Sequence, residues 1–134
     1  MKILRMSVAL ACLAVCSEAL AGGGSSRQQA IEDARAMVRE SWASDLHLIA
    51  QIETGRQCGV VDQLSSGIAI HSVEGNMQDE LIHAGLFGDH TMDIIKVAGN
   101  AIRAGRVAFS NGACNQMTPA SRGRLRLIVE SFMH

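Results

Sequence analysis

The sequence predicts an all-α fold: a small irregular bundle of four to five helices tied by one disulfide, following a cleaved signal peptide. Three observations carry this. Apolar residues recur at spacings of three and four along several segments, the period of a helix with one buried face. One short run, Ile68-Ala69-Ile70-His71-Ser72-Val73, could pass for a strand, but no partner strand is visible elsewhere, and helix is the better reading. Two cysteines, Cys58 and Cys114, remain once the N-terminal segment is set aside.

That segment reads as an export signal. Lys2 and Arg5 form a short basic start, Met6 to Val15 is almost unbroken apolar sequence, and Ala19-Leu20-Ala21 supplies small residues for a peptidase. Cleavage is expected after Ala21, dividing the chain into a signal peptide, 1–21, and a single helical domain, 22–134. The apolar run is too short for a membrane anchor, which needs about 20 residues. A second reading is lipidation: Leu13-Ala14-Val15-Cys16 approximates a lipobox, with Val15 where a small residue is expected. Export implies an oxidising compartment, periplasmic or secreted, and there Cys58 and Cys114 most simply pair. Their separation of 56 residues would contribute about 4 kcal/mol in the loop-entropy model. No CxxC or CxxCH occurs, which removes thioredoxin-type and haem-attachment readings.

The elements follow in order. Gly22 to Gly24 reads as a flexible lead-in and Ser26-x-x-Gln29 as a capping box. Ile31, Ala34, Val38, Trp42, Leu46, Ile49 and Glu53 then mark the inner face of a long helix, with Gly55 as its stop. Val61, Leu64 and Ile68 suggest a second helix, with His71 at the edge of the core, and Gly75-Asn76 is expected to break it. Asn76 would cap a short helix bearing Met77, Leu81, Ile82 and Leu86, ending at Gly88. Asp89 would cap the next, whose stripe of Ile94, Ala98, Ala101, Gly105 and Ala108 would let a neighbouring backbone approach. Ile95, Ile102 and Phe109 are expected to fill the space beside that stripe, and Asn111-Gly112 to end the helix. A loop through Cys114 leads to Thr118-Pro119, an N-cap and first-turn pair, and to a last helix with Leu125, Ile128, Val129 and Phe132 inward.

Charge is unevenly spread. The whole chain has a net charge of -1, but residues 22–95 sum to -7 and residues 96–134 to +5. The plainer reading is pairing between the two portions across the fold, each surface pair contributing about 0–1 kcal/mol. The sharper reading is an arginine surface, Arg103, Arg106, Arg122 and Arg126, for an acidic protein partner or anionic headgroups. Membrane contact would then come only from lipidation at Cys16 or from this basic portion. Nucleic acid is a poor partner for an exported, slightly acidic chain with 3% aromatic residues.

Candidate chemistry is sparse. Glu80-Leu81-Ile82-His83 places a carboxylate and an imidazole on one helix face, and His90 is close in sequence. Glu80, His83 and His90 are therefore weak candidates for a metal site, although dimetal proteins use two such pairs and this chain has one. No other cofactor is implied. Ser65 and Ser66 lack a Gly-x-Ser-x-Gly setting, no phosphate loop is present, and Glu32-Asp33 and Asp79-Glu80 are adjacent rather than facing pairs, so no catalytic residue is assigned. The segment Cys114 to Pro119, leading into an amphipathic helix, resembles small disulfide-bonded periplasmic immunity proteins through a generic motif that assigns no family. The expected function is protein–protein binding of a chaperone, inhibitor, immunity or secretion-accessory type, with a metal-binding module as the alternative.

Overall fold

A computed structural model describes residues 23–86 and 91–134, and the described residues are helical, with no strand among them. Residues 1–21, read above as a signal peptide and containing Cys12 and Cys16, lie outside the described residues, as do Asp89 and His90. The helices are α1 (Gly23–Gln57), α2 (Gln63–His83), α3 (Thr91–Ser110), α4 (Ala113–Gln116) and α5 (Pro119–Ser131). The chain divides into two units, Met1–Met37 and Val38–His134.

In the first unit α1 is already helical at Gly23, so Gly23 and Gly24 are no lead-in and Ser26 is not an N-cap. Arg35 pairs with Glu32 at 2.6 Å and Gln29 donates to Asp33 at 2.9 Å, both between exposed or half-buried side chains one turn apart. Ile31, expected inward, is exposed.

In the second unit Trp42, Ile49 and Ile52 are buried along α1, and the helix passes through Gly55 to Gln57. Gly55 does not stop it, because its missing side chain is used for packing: a Cβ there would collide with the Leu125 side chain of α5. The turn comes at Gly59, at φ +71°, with Val60 N–H donating to the Gly55 carbonyl at 2.8 Å.

Asp62 caps α2, accepting from Ser65 N–H at 2.8 Å and from the Ser65 hydroxyl at 2.7 Å. Those bonds hold its carboxyl below its ordinary pKa. The helix then runs unbroken through Gly75-Asn76 to His83, contrary to the expected break. A helical glycine costs about 1 kcal/mol relative to alanine. Burial of Ser66, Ala69, Val73, Met77 and Leu81 along one face outweighs it. This is not the face anticipated: Leu64 is 72% exposed, and His71, whose side chain is 91% exposed, is a surface residue rather than a core-edge one.

Along α3, Ile94, Ala98, Ala101 and Gly105 are buried as expected. Ile95 and Phe109 are not packed beside them; they stand 61% and 41% exposed. Gly112, at φ +85°, turns the chain into α4, a short helix where a loop was expected. Thr118 caps α5 by accepting from Ser121 N–H at 3.1 Å, with Pro119 in its first turn. Leu125 and Val129 are buried, whereas Ile128, expected inward, is exposed. The core gathers Ile52, Val60, Ala69, Leu125 and Val129, with Cys58, Met117 and Phe132 packed against it. Cys58, beyond the end of α1, is bonded to Cys114 in α4. The predicted disulfide is thus present, and it anchors α4 to the α1–α2 turn.

Candidate functional site

The site is built within the second unit where α1 and α3 touch. A Cβ on Gly105 would stand 2.6 Å from the Ala50 carbonyl oxygen and 2.8 Å from Glu53 Cβ, so only glycine permits this approach. Thr54 Oγ1 lies 2.8 Å from the Ala50 carbonyl and 3.2 Å from that of Gly105, and locks the two helices at the same level.

Glu53 is buried beside this contact, with a side chain 3% exposed. It accepts from Arg56 at 2.7 and 2.9 Å, from Gln57 at 3.0 Å and from Arg106 Nε at 3.1 Å. The Arg56 bonds lead in lowering its pKa to about 2, with Gln57 and Arg106 adding to them against the opposing effect of burial. Asp45 behaves oppositely: burial first, and then the nearby Glu80 carboxylate, raise its pKa. Glu80 itself sits 2.5 Å from Ser41 Oγ.

Above the α1–α3 contact lies a groove of about 680 Å³. Its floor is made of small residues from the two helices, Ala50, Ala104, Gly105 and Ala108. Met117, Leu125 and Ile128 form an apolar wall. Arg124 and His47 are the charged or titratable residues of its lining, and no carboxylate lines it among the described residues. Arg124 has no hydrogen-bond or ion-pair partner among the described residues.

A second feature runs along α3. Ile95, Ile102 and Phe109 recur at seven-residue spacing, which places them on one side of the helix. Ile95 and Phe109 are exposed and Ile102 is half-buried. Lys96, Arg103 and Arg106 share this helix with the acidic Asp93.

The four arginines predicted as a partner surface are each bonded within the chain. Arg103 donates to Asn100 at 2.8 Å, Arg106 to Glu53, Arg122 to the Cys114 carbonyl at 3.0 Å, and Arg126 to the Val60 carbonyl at 3.1 Å. Arg106 joins the acidic and basic portions of the chain, and Arg122 and Arg126 tie α5 to α4 and to the α1–α2 turn. Arg124, which the sequence did not single out, is the arginine that faces the groove. His83 donates from Nδ1 to the Asp79 carbonyl at 2.7 Å, and no group of three His, Cys, Asp or Glu side chains is arranged to hold a metal among the described residues. No described helix is long and apolar enough to cross a membrane.

The class so defined is a small all-helical domain stapled by one disulfide, with a groove lined by small, apolar and polar side chains together with Arg124 and His47, and with Ile95 and Phe109 exposed along α3. No family model matches the chain, and neither a curated protein nor a solved structure matches it.

Proposed function

We propose that this is a small exported binding protein, periplasmic or secreted, that docks a helix of another protein on α3. The observation that carries the reading is the regularly spaced apolar row of Ile95, Ile102 and Phe109, in which Ile95 and Phe109 are exposed and Ile102 is half-buried among the described residues. Water-exposed apolar residues repeating every seven positions are what a second helix covers when it packs alongside. Lys96 and Arg103 on the same helix, neither paired with a carboxylate among the described residues, favour a partner whose helix is apolar on one face and acidic beside it. Export is supported by the basic start, apolar run and small-residue cut site of residues 1–21. A chaperone, an inhibitor, an immunity protein or a secretion accessory would each need such a face.

The test is affinity capture from the native envelope fraction, followed by binding of the purified, identified partner. Phe109→Asp and Ile95→Asp should each weaken that binding by about tenfold or more, the effect of removing an apolar anchor. Leu64→Asp, on an exposed position of α2, should leave it unchanged. Equal loss with all three variants, or loss with none, rules the α3 stripe out as the docking face.

A further inference from the structure

The groove between α1, α3 and α5 has a chemistry different from that of the α3 stripe, and it does not depend on the reading above. We propose that it binds a single-chain amphiphile with a carboxylate head, of the fatty-acid type, its head on Arg124 and its chain along the apolar wall.

Size is the first argument. About 680 Å³ lies in the range of small-molecule sites, roughly 300–1,000 Å³. Shape is the second. Small residues keep the floor low where α1 and α3 touch at Gly105, so a chain can lie between Ala104 and Ala108 on one side and Met117 and Ile128 on the other. Ile128 lines this space and is exposed, leaving apolar surface that a hydrocarbon chain would cover.

Charge is the third argument and selects the head. The lining holds a guanidinium and an imidazole and lacks any Asp or Glu among the described residues, although acidic side chains slightly outnumber basic ones in the whole chain. The neighbouring arginines are bonded to Cys114, Val60 and Glu53, whereas the Arg124 fork has no partner among the described residues. A guanidinium presents two parallel N–H donors to a carboxylate and forms the stronger, charge-assisted kind of hydrogen bond. One arginine suits a singly charged head.

The test is calorimetric titration of the full domain, disulfide intact, with dodecanoate, dodecylamine and dodecanol below their aggregation limits. The expected result is saturable binding of one dodecanoate per chain, at least tenfold tighter than dodecylamine or dodecanol. Arg124→Glu should weaken dodecanoate by tenfold or more, and Ala108→Trp, which fills the groove, should abolish it. Circular dichroism must show both variants folded; if Ala108→Trp does not fold, Ile128→Asp replaces it and should weaken dodecanoate by tenfold or more. Phe109→Asp should leave dodecanoate binding unchanged, which separates this site from the α3 stripe. The proposal is overturned by the absence of saturable dodecanoate binding, by amine or alcohol binding as tightly, or by indifference to Arg124→Glu.

Discussion

Arg106 on α3 donates through Nε to Oε1 of the buried Glu53 on α1 at 3.1 Å. One step away along α3, Gly105 lets the two helices meet at Ala50. The contact therefore couples a steric requirement to an electrostatic one, and it joins the acidic portion of the chain to the basic one. The groove floor stands on it.

Acid stability depends on Glu53. Its pKa is about 2, against an ordinary 4.5, so the folded state binds this proton less readily than the unfolded state. Its contribution is fully present above about pH 4.5 and is lost as pH falls towards 2. Glu53→Gln should cost about 2–3 kcal/mol at pH 7, with partial exposure of the two arginines lowering the figure, and almost nothing near pH 2. Urea unfolding at the two pH values checks this; an equal loss at both would show that the carboxylate charge is not what stabilises the contact.

Asp45 should act in the opposite sense. Its carboxyl pKa is raised by burial and by Glu80, so the folded state holds the proton more tightly and stability falls as pH rises through the window above 3.8. Asp45→Asn should raise the midpoint of urea unfolding at pH 7 and leave it unchanged near pH 2. A lower midpoint at pH 7 would contradict the assignment.

Glycines at different positions should respond differently to alanine. Gly105→Ala forces a Cβ against the Ala50 backbone and should cost about 1–3 kcal/mol. Gly75→Ala and Gly99→Ala enter open space within helices and should each stabilise by about 0.5–1 kcal/mol. Thermal melts of the three variants decide it.

The disulfide holds α4, and Ala113, Gln116 and Met117 around Cys114 line the groove. Replacing both cysteines with serine should cost about 2–4 kcal/mol. A reductant should lower the melting temperature of the native chain but not of the double variant. A reductant-insensitive wild type would contradict the structural role of the bridge.

Much of this was legible in the sequence for physical reasons. Spacing alone located the small-residue stripe ending at Gly105 and Ala108, because a helix face without bulk is useful only against another backbone. Thr118-Pro119 marked the start of α5 because proline lacks the N–H that a first turn does not need. The disulfide is expected from the cysteine count and from reading residues 1–21 as an export signal. Other features depend on tertiary balance. Gly75-Asn76 looks like a stop until burial of Val73, Met77 and Leu81 is weighed against it. Leu64 and Ile68 share the helical period of a core face, and periodicity cannot say which of two apolar faces is covered. Arg122, Arg124 and Arg126 are spaced by two, which sends neighbours to roughly opposite sides of a helix. Only the fold shows that Arg124 is the one at the groove.

The central claim is that the exposed stripe of α3 docks a partner helix. The most direct measurement is site-specific photocrosslinking in the native envelope, with the photoreactive residue placed at position 102 and, as a control, at position 64. The account predicts a single discrete adduct from position 102 whose identified partner, once purified, binds the chain one to one and loses affinity to Phe109→Asp. Equal adducts from both positions, or a partner indifferent to Phe109→Asp, would contradict it.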